Sequence, residues 1–375
     1  MTRSIVHLTT YLQGGAGRSI VDVACAQHAA GDDVLVVTSK SARGHCGNYG
    51  HYLDRLTAAG VPHWLEDSLF DRSAAANQPV LDRLRAERPP ASVDVVHAHA
   101  GVPARIGLAY AEGAARRPRV VQTQHGWGTN KTAGQSRVDL DTLAAVDAVL
   151  VTSEGTRTLL HAMGVSARTM TVVPCGLPVQ CPPPSETAAA AAARYRAQGR
   201  LIVGCVGSVT ANKNQALVVH AVACAQAPPL AAVIVGEGGE RLDARCRELG
   251  VEGAVHLAGY QPDAETWMPS FDVLAVPSFT EGQGLVVLEA FRAGVPVVAS
   301  DIPALRELVQ EGRTGWLFDP RDVGSLVGAL ARVAALPEHE RQRVRRSARS
   351  AFDSGYTTAA MLRGLEDVYG VSLAG

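Results

Sequence analysis

The chain has 375 residues, of which 47% are apolar, and a formal net charge of -1. This length exceeds what one compact core usually organises, so two domains are expected, and the near-neutral charge gives no electrostatic footprint for nucleic acid. The seven cysteines have no metal-ligand or paired spacing, which fits reduced thiols. The N-terminal residues lead into a predicted strand without an apolar signal segment. No apolar run approaches the roughly 20 residues that are needed to span a bilayer. We therefore expect a cytoplasmic protein without a transmembrane segment, although peripheral membrane contact is still allowed.

Short β-rich runs alternate with helical stretches along the whole chain, a pattern typical of parallel sheets wrapped by helices. In the N-terminal half we expect strands at residues 5–9, 34–38, 93–97, 120–124, 148–152 and 171–173. In the second half we expect strands at residues 201–206, 231–235, 254–257, 273–276 and 295–299. The pattern predicts two doubly wound domains, at residues 1–180 and 201–355, joined by a Pro- and Ala-rich connector at 181–200. A last helix within residues 356–375 could pack back on the N-terminal domain.

Ligands of open α/β sheets bind where strands end and helices begin, so each strand-to-helix loop is a candidate. The first such loop contains Gly14, Gly15, Gly17 and Arg18, before a helix expected from about residue 19. Its spacing is not that of a dinucleotide fingerprint. Glycines there would let a phosphate or sugar approach the backbone N–H groups closely.

A loop in the second half combines Ser208 with Lys213, one of only three lysines in a chain otherwise rich in arginine. A compact ammonium in that loop is plausible for a diphosphate ligand, against the alternative of a solvated loop lysine. A further loop, Gly236 to Glu240, follows the strand at 231–235. Its glycines are expected mainly to let the turn close against the sheet.

The most informative segment has two carboxylates, Glu281 and Glu289, with seven residues between them. A buried helix should begin near Gly284 and end at Gly294, so its first turn would present unpaired N–H groups to an anion. At 1.5 Å rise per residue the two carboxylates would lie about 10–12 Å apart, whereas a glycosidase pair needs roughly 5–9.5 Å. The spacing favours two carboxylates that contact the same long ligand. The alternative is that both carboxylates are solvated.

Histidines and one acidic pair are the remaining candidates. His125 follows a strand end beside a glycine, which favours a place in the ligand cleft. His97 and His99 would share one strand face, but without an obvious third ligand we favour structural histidines over a metal pair. Asp139 and Asp141 mimic a metal-binding pair and are interpreted as a solvated helix face.

The ordered set of motifs resembles the retaining glycosyltransferases of the family 4 type, which have the two-domain GT-B fold with a central cleft. The resemblance spans nearly the whole chain, and the segment from Glu281 through Glu289 to the following Gly-Val-Pro-Val-Val is its most specific part. The other matching motifs include the glycines at 14–17, the segments at 94–99, 124–126 and 173–176, and the residues at 207–214, 235–238 and 257–260.

The resemblance implies a role for each matching residue on the donor side. Glu289 would bind the ribose of the donor nucleotide, Glu281 the hydroxyls of the transferred sugar, and His125 would lie near the anomeric carbon. The diphosphate would be held by Lys213 and by backbone groups. The implied donor-binding set is Gly15, Gly17, Ser208, Lys213, Tyr260, Gly282, Gln283, Gly284, Leu285 and Glu289.

Two departures from the family pattern affect the phosphate and turn positions. Ser208 stands where the family commonly has arginine, and Arg18 could compensate for the missing cation. Cys175 stands where the family usually has asparagine before Gly176, at a position expected to set a turn. For the acceptor wall the sequence offers Arg43, His45, Tyr49 and His99 as candidates.

These observations predict transfer of a hexosyl unit from a nucleotide diphosphate sugar, such as a UDP-sugar, to a hydroxyl-bearing acceptor. Retention at the anomeric carbon and independence of any metal or other cofactor are implied by the resemblance. A soluble or glycan acceptor is favoured over a lipid because no basic amphipathic helix is evident. The alternatives are a nucleotide-sugar hydrolase or epimerase, an NAD-dependent oxidoreductase, and a sugar-binding protein without activity.

Overall fold

The computed structural model describes residues 2–44, 46–128 and 131–370. The chain forms two compact units. The first comprises Met1–Gly176 and Thr358–Gly375, and the second comprises Leu177–Thr357. Each is a parallel sheet with helices around it, so the predicted fold class, two Rossmann-like doubly wound domains, is confirmed.

The first unit is built on a seven-stranded sheet in the order β3-β2-β1-β4-β5-β6-β7. Every neighbouring pair is parallel. The strands are β1 (Ser4–Leu8), β2 (Asp33–Ser39), β3 (His63–Glu66), β4 (Val95–Ala98), β5 (Arg119–Gln124), β6 (Ala148–Val151) and β7 (Met170–Val172). The order reverses between β1 and β4, which makes their carboxyl ends the switch point where such sheets bind ligands.

Six helices connect these strands. They are α1 (Gly14–Ala29), α2 (Gly50–Ala58), α3 (Ala74–Glu87), α4 (Gly101–Ala111), α5 (Ala133–Ala145) and α6 (Glu154–Ala162). The expected start of the first helix near residue 19 is wrong, because the helix already begins at Gly14. Gly14 has a φ of 55°, and a Cβ on Gly17 would lie 2.5 Å from the backbone carbon of Leu12. The glycines thus let the chain turn tightly into the helix, and they form its first turn instead of a loop.

The second unit has a six-stranded parallel sheet in the order β10-β9-β8-β11-β12-β13. Its strands are β8 (Leu201–Val206), β9 (Leu230–Val235), β10 (Val255–Gly259), β11 (Val273–Val276), β12 (Val297–Ser300) and β13 (Gly315–Phe318). Its helices are α7 (Glu186–Arg196), α8 (Gln215–Cys224), α9 (Asp243–Leu249), α10 (Leu285–Ala293), α11 (Pro303–Arg306), α12 (Val323–Ala334) and α13 (Glu338–Gly355). The switch point of this sheet lies between β8 and β11.

Apolar runs bury both faces of the central strands, as a helix-covered parallel sheet requires. All six residues of β9 are buried, and so are all four of β11 and of β12. Two edge strands, β3 and β13, were not predicted from the sequence. Strand β3 reads His-Trp-Leu-Glu and is only half-buried, so it lacks the apolar run that marked the others.

The Ala-rich helix α7 buries Ala188, Ala192 and Tyr195 in the core of the second unit, so this part of the predicted connector is an integral element there. The last helix, α14 (Thr358–Tyr369), belongs to the first unit and packs on α1. Among the residues that the structure describes, no helix combines the length and apolarity needed to cross a membrane. None of the seven cysteines, all of them described, forms a disulfide.

Candidate active site

In the second unit the predicted donor residues lie on the loops that follow β8 and β11 and on helix α10, except Tyr260, which follows β10. Because Val273 pairs with Val203 and Leu274 with Gly204, the two strands are neighbours and their carboxyl ends meet. The loop at 207–214 and the loop at 277–284 therefore lie side by side at the switch point of the sheet.

Lys213 and Glu281 form the central contact between these loops. The Lys213 ammonium lies 2.7 Å from Oε1 of Glu281, and the Ser278 hydroxyl donates to the same oxygen at 2.7 Å. The Glu281 side chain is 9% exposed, whereas the Lys213 side chain is 34% exposed. The carboxylate is thus fixed by two donors, and the ammonium still reaches water.

Two asparagines tie the loops together and hold Lys213 in place. The Asn212 amide donates to the Thr280 carbonyl at 3.1 Å, and the Thr280 hydroxyl donates to Oδ1 of Asn212 at 2.8 Å. Asn214 is left-handed with a φ of 54°, and its amide donates to the carbonyls of Pro277 (3.3 Å) and Pro320 (3.0 Å). Asparagine tolerates this backbone region better than most residues, which explains the residue type beside the lysine. The sequence analysis gave neither asparagine a positioning role.

The glycines after β9 close the turn against the sheet, as predicted. A Cβ on Gly236 would lie 2.1 Å from the carbonyl oxygen of Gly207, and the φ of Gly236 is 151°. This close approach keeps the loop after β8 pressed against the loop after β9. Ser208 donates its hydroxyl proton to Glu237 at 3.0 Å.

A second cation stands near the phosphate-binding candidates of this unit. The Arg241 guanidinium donates to the Val209 carbonyl at 3.1 Å, one residue beyond Ser208. Arg18, suggested from the sequence as the compensating cation, instead pairs with Asp22 on its own helix at 3.4 Å. The sequence analysis missed Arg241 because it lies 33 residues from Ser208 along the chain.

Helix α10 begins at Leu285 and ends before Gly294, as predicted. Gly284 precedes it with a φ of 87°, and Gly294 ends it with a φ of 66°. Gln283 and Glu289 are buried, with Glu289 at 8% exposure. The two ends of the helix are thus set by glycines in the left-handed region, and its amino end follows Glu281 and Gly282 directly. Tyr260, which directly follows strand β10, is 44% exposed.

In the first unit the switch point has a buried cluster of histidines. His7 on β1 faces His97 on β4 and His99 just after that strand, and ring nitrogens of the three lie within 4.8 Å of one another. The sequence offered no obvious third ligand beside His97 and His99, but parallel pairing places His7 opposite His97.

Hydrogen bonds engage both ring nitrogens of each of these three histidines. His7 bonds to Gln27 (2.7 Å) and His99 (3.0 Å), and His99 bonds also to His125 (3.3 Å). The remaining bonds run from His97 to Tyr369 at 2.8 Å and to Thr123 at 2.6 Å. With its nitrogens occupied in this way, the cluster is satisfied without a metal, and His99 offers no ring nitrogen to an acceptor.

Burial keeps these rings neutral. It lowers the pKa of His7 and the pKa of His125 to about 4. Burial, reinforced by the neighbouring rings, also lowers the pKa of His97 and the pKa of His99 well below their usual value. At neutral pH each ring therefore has one proton.

The interpretation of Asp139 as part of a solvated helix face is wrong. Asp139 is buried, and its carboxylate accepts from Arg72 at 2.8 Å and from Lys131 at 2.9 Å. These cations, together with hydrogen bonds from them, lower the pKa of Asp139 against the opposing effect of burial. Asp141, by contrast, is exposed and pairs with Arg137 on the same helix.

Two of the proposed acceptor residues, Arg43 and Tyr49, lie between β2 and α2, whereas His99 belongs to the histidine cluster after β4. The Arg43 guanidinium lies 5.4 Å from the ring centroid of Phe70, and Tyr49 stacks on His51 at 5.6 Å. Gly15 is exposed in the first turn of α1, whereas Gly17 is buried there. His45 lies outside the described residues.

The sheet order, the two units and the loops at the switch points define a GT-B glycosyltransferase architecture. Residues 13–180 match the family model "Glycosyltransferase Family 4", and residues 200–335 match "Glycosyl transferases group 1". The chain belongs to this family of glycosyltransferases.

Curated relatives with this activity align over much of the chain. The "D-inositol 3-phosphate glycosyltransferase" of Nocardia farcinica is 29% identical over 316 residues, which cover 78% of this chain and 69% of the relative. A lipopolysaccharide core biosynthesis mannosyltransferase, LpcC of Rhizobium leguminosarum, is 30% identical over 51% of this chain and 55% of its own length. The chain thus spans about two thirds or less of these relatives.

Solved structures share the fold at lower identity. Anabaena Alr3699/HepE, crystallised with UDP and glucose, superposes with a TM-score of 0.83 at 19% identity, covering 98% of this chain and 99% of that one. Sucrose-phosphate synthase from Thermosynechococcus elongatus has a TM-score of 0.78 at 21% identity, with 98% of both chains covered.

Proposed function

We propose that this protein transfers a hexosyl unit from a nucleotide diphosphate sugar to a hydroxyl-bearing acceptor, with retention at the anomeric carbon and without a metal ion. One observation carries the proposal: Lys213 and Glu281 are paired at 2.7 Å, directly before the amino end of helix α10. A cation, a carboxylate and the amino end of a helix are thereby brought to one switch point. These are the groups that a sugar diphosphate needs.

Charge on the leaving group is the first requirement of the reaction. When the sugar leaves, negative charge grows on the β-phosphate, and preorganised donors lower the barrier by stabilising it. The Lys213 ammonium has three N–H donors, so one can stay on Glu281 while another meets a phosphate oxygen. The N–H groups of the first turn of α10 add the positive end of a helix dipole. Lysine and helix together would take the part that a divalent cation plays in other transferases.

We propose the following bond changes. The bond between the anomeric carbon and the β-phosphate oxygen breaks, and the acceptor oxygen forms a new bond on the same face of the sugar. The acceptor hydroxyl gives its proton to the departing phosphate oxygen, so no separate general base is required. We assign Glu281 to the hydroxyls of the transferred sugar, Glu289 to the ribose of the nucleotide, and His125 to the sugar near the reacting carbon.

The comparisons support a donor and an acceptor class. Alr3699/HepE was crystallised with UDP-glucose and with UDP and glucose, which supports a UDP-sugar as the first donor to test. Relatives named for glycosyl transfer involving D-inositol 3-phosphate support a polyol-type acceptor that presents hydroxyl groups.

The test is a transfer assay with the purified chain. UDP-, GDP- and ADP-linked glucose, mannose and N-acetylglucosamine are each supplied with and without inositol 3-phosphate or glycerol, in buffer containing EDTA. We expect nucleoside diphosphate release that depends on the acceptor, a product with the donor's anomeric configuration by proton NMR, and no effect of EDTA.

Three results would contradict parts of the proposal. Release that does not need an acceptor would identify a hydrolase, and inversion would exclude the same-face mechanism. Loss of activity in EDTA that is restored by a divalent cation would exclude metal independence. A fourth result would contradict the nucleotide-sugar site itself: none of UDP, GDP and ADP binds in a thermal-shift screen.

A further inference from the structure

A continuous hydrogen-bonded chain runs from Gln27, on α1, to His125. The side-chain amide oxygen of Gln27 bonds to Nε2 of His7 at 2.7 Å, and Nδ1 of His7 bonds to Nε2 of His99 at 3.0 Å. Nδ1 of His99 then bonds to Nε2 of His125 at 3.3 Å. The first two residues of this hydrogen-bonded series are buried, with His7 at 0% and Gln27 at 2% exposure.

The direction of the protons along this chain follows from the Gln27 amide. A carbonyl oxygen only accepts, so Nε2 of His7 must have the proton and Nδ1 must be a lone pair. That lone pair needs a donor, so His99 is protonated on Nε2 and accepts on Nδ1. By the same step His125 donates from Nε2, which leaves its Nδ1 unprotonated.

The hydrogen bond of the Gln27 NH₂ group is consistent with this order of protons. The Gln27 NH₂ donates to the Tyr369 hydroxyl oxygen at 3.2 Å. Tyr369 can then donate its own proton to Nδ1 of His97 at 2.8 Å, and Nε2 of His97 donates to Thr123 at 2.6 Å. Each of these three hydrogen bonds thus has one donor and one acceptor. If the amide were turned over, every donor and acceptor in both branches would exchange roles, so Gln27 is the group that decides the direction.

We propose that Gln27 is a positioning residue that acts through His7 and His99 to fix the tautomer of His125, leaving Nδ1 of His125 to accept a hydrogen bond from a hydroxyl of the bound sugar. The role of the sugar in this inference rests on the proposed function. Nδ1 of His125 has no hydrogen-bond partner among the described residues, so it is the ring atom left for a ligand. A neutral ring with a fixed lone pair selects a hydroxyl donor, whereas the opposite tautomer would select an acceptor atom.

The test reads the tautomers directly by NMR of the full chain labelled with ¹⁵N in its histidine rings. Signals are assigned with single variants such as His125→Gln. In the wild-type protein we expect His7, His99 and His125 all to have the proton on Nε2. A proton on Nδ1 of any of the three would overturn the proposal, and this outcome needs no variant of Gln27.

The second arm compares Gln27→Met with Tyr369→Phe. Methionine keeps the volume but removes the acceptor for His7, and an orphaned buried N–H is harder to accommodate than an orphaned lone pair. We expect the ratio of the Nδ1–H to the Nε2–H form of His125 to rise roughly fivefold or more. Tyr369→Phe instead orphans the Gln27 NH₂ group, which by the same rule favours a turned-over amide and should also raise the Nδ1–H form of His125. The control is Gln78→Met on helix α3, an exposed glutamine whose amide donates to Asp82 at 2.7 Å, and it should leave the tautomer of His125 unchanged.

A His125 tautomer ratio unchanged within about twofold in Gln27→Met would overturn the assignment of Gln27. The same holds if the control Gln78→Met shifts His125 as strongly as Gln27→Met does. No substrate enters these measurements, so a failure of sugar transfer would contradict the proposed function and leave the tautomer result standing.

Discussion

Replacing Lys213 with methionine tests the phosphate-binding role most sharply, because it removes the ammonium and keeps most of the side-chain volume. Removal of one preorganised charge-stabilising donor typically lowers kcat by about 10²–10³-fold. A charge-assisted hydrogen bond to the ground-state diphosphate is worth about 1.5–3 kcal/mol, so the Kd for the nucleoside diphosphate should rise by about tenfold or more. Both effects should be largest with the diphosphate and small with the nucleoside alone.

The same substitution should change stability only modestly. Glu281 would lose one of the two donors on its Oε1 and keep Ser278 at 2.7 Å. Because the Lys213 side chain is 34% exposed, water can replace it in part, and we expect a loss of about 1.5 kcal/mol. For a unit of this size that corresponds to a fall in Tm of about 3–6 °C.

The assay is steady-state transfer with whichever donor proves active in the transfer assay, together with calorimetric titration of the nucleoside diphosphate. The matched control is Arg313→Met, which removes an exposed cation of the same unit whose guanidinium donates to Gln310 at 3.0 Å. It should leave kcat and Kd within twofold of wild type. If Lys213→Met also stays within twofold on both, the phosphate role of Lys213 is refuted.

Three further predictions rest on other parts of the structure. Gly236→Ala should destabilise the second unit by about 3 kcal/mol in urea unfolding, because a Cβ would lie 2.1 Å from the Gly207 carbonyl oxygen; an unchanged midpoint would contradict the close approach. Glu289→Ala should chiefly raise the donor KM with little change in kcat, and an equal fall of kcat and kcat/KM would instead indicate a role confined to the transition state. The free energy of unfolding should fall on acidification between pH 6.5 and about 4, because the folded pKa of His7 and of His125 lies below the unfolded value and the unfolded chain binds more protons. Each ring contributes a slope of up to about 1.4 kcal/mol per pH unit there, and a flat stability profile by chemical denaturation would contradict their burial as neutral groups.

The ends of helix α10 and the loop after β8 could be located because their signals are local in sequence. Gly284 and Gly294 mark the two ends of α10 within ten residues of each other, and both adopt the left-handed backbone that glycine favours. Lys213 stood out by residue type in a single strand-to-helix loop. The fold followed from the alternation of apolar strands and helices, for which no long-range information is required.

What the sequence could not predict depends on contacts between distant residues. Asp139 is buried because Arg72, 67 residues earlier, reaches it across the first unit. His7 joins His97 only through the parallel register of β1 and β4. Gln27 enters the histidine chain through the packing of α1 on the sheet, and a glutamine on a helix gives no local sign of that role.

The two polar clusters differ in a way that separates structure from ligand binding. In the histidine cluster the inner rings are buried and both nitrogens of each ring have partners, so a new ligand would have to break an existing bond. Lys213 is paired with Glu281 but a third of its side chain reaches water, and an ammonium has more donors than one carboxylate oxygen uses. A phosphate can therefore add to the lysine at little desolvation cost, whereas the inner histidines can only transmit their proton order to His125. Exposure and unused donors, more than the number of charged groups, support the proposed binding role of Lys213 and the proposed positioning role of the histidine cluster.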